Sequence, residues 1–145
     1  MNNKPKMYVT GAVLSSDENS FKKYEMIKNY FSDRYDIYTP LETSKFKGTD
    51  EERYLRAEHS VKNADIVVHD FSQISSGQGV EFGICVMCNK PMISVAKAGS
   101  KVSAIVKGAL TAKGFNPVIM YSDEEELLKV LEDSLSKLNK NICEK

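Results

Sequence analysis

The chain has no apolar run of 18 residues, no surplus of either charge, only three cysteines and no glycine-rich phosphate signature. Each lack closes a class of function. Without a long apolar run, no segment reads as a membrane-spanning helix. The opening "MNNKPKMYVTGAVLSS" has no signal-peptide core and turns polar quickly, so it reads as the first strand of a cytosolic protein. Twenty basic residues balance twenty acidic ones. That balance does not fit a chain whose main partner is a nucleic-acid polymer or an anionic membrane. Cys85, Cys88 and Cys143 are too few and odd in number for a disulfide scaffold. Cys85 and Cys88 form a CxxC inside the apolar run "VEFGICVMCNK". That is away from a helix start, where a thiolate would be stabilised, and no second ligand pair completes a zinc site. Both read as buried, inert thiols. The first turn, "VTGAVLSS", carries one glycine rather than G-x-G-x-x-G, and there is no Walker sequence. A dinucleotide or P-loop site is therefore not expected.

What is present is an alternation. At 145 residues the chain fits one domain spanning 1–145 with a core of its own. Strand-like runs at 6–13, 35–40, 65–71, 91–97 and 116–122 alternate with helical patterns at 17–33, 50–64, 78–89, 102–110 and 123–140. Pro40 ends the second strand in this reading, and 41–50 reads as a polar loop. Ser122 or Asp123 is placed to cap the last helix. The run Ile66-Val67-Val68 has the continuous apolar character of a buried parallel strand. The expected fold is α/β: a three-layer α/β/α sandwich around a five-stranded parallel sheet, flavodoxin-like or Rossmann-like. Such sheets bind ligands beyond the carboxyl ends of their strands. "TGAVLSS", "LETSKF" and "SQISSGQG" should converge there.

The stretch "SSGQGVEFG" is the most informative. Small residues before a helix leave backbone N–H groups for an anion, and hydroxyls add phosphate contacts. Glu81 falls near the first turn, where the helix dipole favours a carboxylate. On the residues alone, an ordinary first-turn glutamate leads over a nucleophile aimed at a sugar carbon. Gly11 permits a close backbone approach to a ligand or forms a simple turn. The pattern leaves both open.

The segment "ADIVVHDFSQISSGQGVEFGICVMCNKPMI" resembles the central segment of the nucleoside 2-deoxyribosyltransferase superfamily. It is most similar to the 2′-deoxynucleoside 5′-phosphate N-hydrolases and CMP N-glycosidases. "YVTGAV" and "VSAIVKGA" extend the resemblance over about residues 6–135. The resemblance implies that Glu81 is the nucleophile that attacks the anomeric carbon and forms a glycosyl-enzyme. It implies that Ser75 contacts a substrate phosphate. It also implies a homodimer in which Ser103 reaches the neighbour's phosphate. Gly77, Gly79 and Gly83 match glycines that shape the loop and let the helix pack closely. The chemistry needs neither metal nor organic cofactor. The partner is a nucleoside or nucleotide.

Three positions depart from the pattern. The hydrolases carry an aspartate 24 positions before the nucleophile, where this chain has Ala57. Ala12 and Leu14 stand where those enzymes carry a serine and often an arginine. Glu58, Asp70 and His69 are the candidate acid–base substitutes, although one position along a helix turns a side chain by about 100°. His59 reads as a solvated helix residue. Among Tyr8, Tyr38 and Tyr54, Tyr8 is best placed to line a base pocket. Ser75 and Ser103 favour a phosphorylated substrate, and the tail "LNKNICEK" does not resemble the transferases' terminal carboxylate. The expected activity is hydrolysis, or transfer, at the N-glycosidic bond of a nucleoside 5′-monophosphate. The alternative is a nucleotide-binding sensor or sponge with impaired catalysis.

Overall fold

The computed structural model describes residues 3–13, 18–73 and 75–143, the last three by backbone alone. The described residues form, in chain order, β1 (Lys6–Gly11), α1 (Glu18–Phe31), β2 (Asp36–Tyr38), α2 (Pro40–Lys45), α3 (Asp50–Asn63), β3 (Ile66–Asp70), α4 (Ser76–Met87), β4 (Met92–Lys97), α5 (Ala104–Ala112), β5 (Ile119–Tyr121) and α6 (Glu124–Cys143). All five strands are parallel, in the order β2-β1-β3-β4-β5. This is the expected α/β/α sandwich.

Strand periodicity sorts the core into two layers, because successive side chains point to opposite faces. Met7, Val9, Ile66, Val68, Ile93 and Val95 face α1 and α6, where they meet Tyr24, Ile27, Phe31 and Leu131. Tyr8, Val67, Phe71, Met92 and Ala96 face α3, α4 and α5, where they meet Val61, Phe82, Cys85 and Leu110. Strand β3 is buried along its whole length, as a central parallel strand should be.

Two sequence expectations need correction. Pro40 does not merely stop a strand; it occupies the first turn of α2, where its missing N–H costs nothing. Thr39 caps that helix and Glu42 reaches back to the Thr39 backbone. This is a T-x-x-E capping box, so the expected loop at 41–50 shrinks to 46–49. A second box, Thr49 with Glu52, opens α3. The other correction is that α4 begins two residues before the expected start at 78, so most of "SSGQG" is helix. Asp123 caps α6 by accepting from Glu126 N at 2.8 Å. Leu14, a departure noted above, lies outside the described residues. Among the described residues no helix is long and apolar enough to cross a membrane.

Candidate active site

In the order β2-β1-β3-β4-β5, the chain leaves β1 and β3 toward opposite sides, which opens a crevice at their carboxyl ends. Helix α4 starts there. Ser75 is its N-cap, with Oγ accepting from Gln78 N at 3.4 Å. Three glycines make α4 a weak helix by propensity. Its inward stripe of Gln78, Phe82 and Cys85 holds it on the sheet instead. The Gln78 side chain is only 3% exposed. Its Nε2 donates to the Asp70 carbonyl at 2.7 Å and to the Thr10 carbonyl at 3.3 Å.

One turn further on, Glu81 lies over β1. Thr10 Oγ1 donates to Glu81 Oε1 at 3.2 Å. The Tyr8 phenol lies on the same face of β1, close enough that it and this carboxylate shift each other's pKa, and Thr43 of α2 acts on the phenol in turn. Glu81 Oε2 is buried and has no hydrogen-bond partner among the described residues. Burial raises the Glu81 pKa above the ordinary carboxylate value, while the bonds from Tyr8 and Thr10 pull it down. The net direction is up. Burial and the Glu81 charge also push the Tyr8 phenol up, so Tyr8 serves as a neutral donor.

The other expected site residues fall into place unevenly. Ser75 and Ser103 are both N-caps; Ser103 Oγ accepts from Ile105 N at 3.2 Å at the head of α5. Both border a groove of about 490 Å³ between α4 and α5, together with Gly79, Gly83, Met87 and Ile105. Glu81 is not among the residues lining that groove. Gly79 and Gly83 do not serve close packing within the chain, because a Cβ at either would meet nothing within 4 Å. At Gly77 it would meet only Ser75 Oγ, at 3.9 Å. Gly11 is explained by packing: a Cβ there would lie 2.3 Å from the Tyr24 phenol oxygen. Tyr8 is buried rather than open to solvent. Its ring centroid lies 5.7 Å from that of Tyr38. Tyr54 is exposed on α3.

The acid–base substitutes are not brought to Glu81. Asp70 points to the opposite face of the sheet, where Lys23 and the Tyr121 hydroxyl each approach Oδ2 to 2.8 Å. Ser72 N donates to its other oxygen at 2.9 Å. Glu58 pairs with Lys62 at 2.7 Å, and that ammonium and Tyr54 hold its pKa down. His69 is fully buried, with ring centroids of Phe71 and Phe82 each 5.4 Å away. Burial lowers its pKa to about 3, so the ring is neutral. His59 is exposed and contacts Asn63. The thiols divide: Cys85 is buried and pushed up to about 12, whereas Cys88 is exposed, contrary to expectation. The Cys143 side chain lies outside the described residues. Among the described residues no cluster of three His, Cys, Asp or Glu could hold a metal.

Sequence reasoning missed Thr10, Thr43 and Gln78. Thr10 had a signal, because it is two positions from Tyr8 and therefore shares its strand face. Gln78 had none beyond its place three residues before Glu81.

By sequence, no family model and no curated protein matches the chain. By structure, it is similar to the CMP N-glycosidase BcmB of Clostridium botulinum, with TM-score 0.68 and 14% identity over 88% of this chain and 98% of that one. It is similar to a 2-deoxyribosyltransferase from Bacillus psychrosaccharolyticus, with TM-score 0.62 and 15% identity over 84% and 89% of the two chains. A conserved protein from Enterococcus faecalis V583 gives TM-score 0.68 and 16% identity over 90% and 99%. At such identities the likeness is one of fold: the chain shares its fold with that 2-deoxyribosyltransferase and that CMP N-glycosidase.

Proposed function

We propose that the protein cleaves the N-glycosidic bond of a nucleoside 5′-monophosphate, with Glu81 as nucleophile. The observation that carries this reading is the Glu81 carboxylate at the β1–β3 crevice, held at Oε1 by Thr10 and without a partner at Oε2 among the described residues. In this scheme Oε2 attacks C1′, and the C1′–N pair leaves with the base. Water then attacks C1′ of the glycosyl ester and frees the carboxylate; the water's oxygen stays on C1′ as a hydroxyl and its lost proton ends on the nitrogen of the departed base. Transfer to a second base is the same chemistry with another acceptor. As N-caps, Ser75 and Ser103 spend an acceptor lone pair on the backbone, so each O–H remains to donate to a phosphate oxygen. The activities for which the Clostridium and Bacillus proteins are named fit this chemistry.

The same proposal includes a homodimer formed across the α4–α5 groove, in a single domain with a cytoplasmic home. Met87 and Ile105 are each 83% exposed there, and Ser103 stands at the groove's edge, where it would complete a neighbour's site.

One observation favours a second reading, a nucleotide-binding protein with impaired catalysis. Glu58 and Asp70 are both committed elsewhere, so neither serves as acid for the leaving base. A chromatographic screen of the common nucleoside monophosphates decides between the two. Free base released by the native protein and lost in Glu81→Ala supports the enzyme. Binding by calorimetry with no base released from any nucleotide supports the binding protein.

A further inference from the structure

Thr10 is engaged twice. Its hydroxyl donates to Glu81 Oε1 at 3.2 Å, and its carbonyl accepts from Gln78 Nε2 at 3.3 Å. The same amide donates to the Asp70 carbonyl at 2.7 Å. Thr10 pairs with His69 and Gly11 with Asp70 in the β1–β3 register, so the amide bridges the next-to-last paired residue of β1 and the last of β3. The β1–β3 pairing ends at Gly11 and Asp70. Gln78 therefore closes the crevice from below, at the point where the sheet would otherwise be free to splay. Its side chain is buried, and it sits three residues before Glu81 on the same helix.

We propose that Gln78 is a positioning residue for Glu81: by clamping the Thr10 and Asp70 carbonyls it fixes the Thr10 hydroxyl on Oε1 and leaves Oε2 as the reacting oxygen. The inference rests on Glu81 being the reacting carboxylate. A neutral amide suits the task. It supplies two N–H donors to two carbonyls without bringing a charge beside the carboxylate. An ammonium or guanidinium there would have lowered the Glu81 pKa and weakened it as a nucleophile. Tyr8 from β1 and Cys85 from α4 are the titratable groups whose charges couple to Glu81. Both are pushed up, so neither is charged near neutral pH.

The test is a carbon-13 NMR titration of the Glu81 carboxyl in the intact protein, with Gln78→Met, Thr10→Val and the double variant. Losing the Thr10 hydrogen bond removes support for the ionised form, so the midpoint should rise by about half a pH unit or more. Gln78→Met should raise it in the same direction, and the double variant should rise no further than Thr10→Val alone. If Gln78→Met does not fold, Gln78→Asn replaces it; its shorter amide cannot span both carbonyls and should shift the midpoint likewise. A merely structural role for Gln78 would lower the melting temperature and leave the midpoint in place, and that result overturns the clamp. So does a double variant whose shift equals the sum of the singles. Absence of base release in the native protein would overturn the proposed reaction and with it the reacting role of Oε2, but not the linkage of Gln78, Thr10 and Glu81, because the titration needs no turnover.

Discussion

Thr10 and Glu81 meet across 71 positions of sequence, hydroxyl to carboxylate at 3.2 Å. That contact, with Tyr8 beside it, partly offsets the burial that raises the Glu81 pKa. The offset is incomplete, so the folded protein holds this proton more tightly than the unfolded chain does. Stability then falls as pH rises from the ordinary carboxylate range through the folded Glu81 pKa. Glu81→Gln removes that cost. The variant should melt a few degrees higher than the native protein at pH 7 and gain nothing at pH 3. Base release should fall by about 10³-fold or more. Scanning calorimetry at the two pH values, beside a turnover assay, checks both halves. A lower melting temperature at pH 7 would contradict the electrostatic account.

His69 predicts the opposite slope. Both of its ring nitrogens are buried with no hydrogen-bond partner among the described residues, and burial lowers the pKa to about 3 from 6.5. The neutral ring is the folded form. Below the unfolded value the unfolded chain takes up a proton that the fold refuses, so stability drops as pH falls from about 6.5 toward 3. One such group gives a slope of at most about 1.4 kcal/mol per pH unit. His69→Leu should flatten that slope, whatever its offset at neutral pH. Urea titrations at pH 7, 6, 5 and 4 measure it. An unchanged slope in the variant would assign the acid sensitivity to other groups.

The fold was legible because its cues are local and repeated. Five β-branched runs between helical patterns identify a parallel sheet, and "IVV" marks its centre. The helix at 40–45 was missed although Thr39-Pro40-Leu41-Glu42 spells a capping box; the proline read as a stop rather than as a first-turn residue. The candidate site was legible at Glu81 and hidden around it. Asp70 illustrates why. It ends the right strand, but strand alternation turns it to the far face, toward Lys23 and Tyr121. Which way a strand-end residue points depends on register, and register follows from the whole sheet. Gln78 was hidden for a related reason, since both its partners are backbone carbonyls that carry no residue-type signal.

The glycines of α4 predict a trade between protomer stability and association. Nothing lies within 4 Å of a Cβ placed on Gly83. Gly83→Ala should therefore stabilise the isolated protomer by about 1 kcal/mol through helix propensity. If the groove between α4 and α5 seats a second copy, the added methyl faces that copy and association weakens. Ile105→Glu should abolish association without touching the core, because Ile105 is exposed. Sedimentation velocity across a concentration series reads the association, and thermal melts at low concentration read the protomer. A native protein that stays monomeric at every concentration would remove the shared site from the proposal.

Gly11 and Tyr24 offer a test of packing that involves no chemistry. A methyl on Gly11 would press on the Tyr24 phenol oxygen at 2.3 Å and on the Asp70 carbonyl at 3.3 Å. Tyr24 cannot swing away easily, because it is buried and its hydroxyl donates to the Ala12 carbonyl at 3.0 Å. Gly11→Ala should thus cost about 1–3 kcal/mol, as overpacking usually does. Tyr24→Phe alone should cost about 1 kcal/mol for the lost hydrogen bond. Combined, the two should cost less than their sum, because removing the hydroxyl opens the space the methyl needs. Chemical denaturation of the four proteins gives the coupling directly. Strict additivity would mean that the methyl is accommodated by a backbone shift of β1, and would separate Gly11 from the Tyr24 contact.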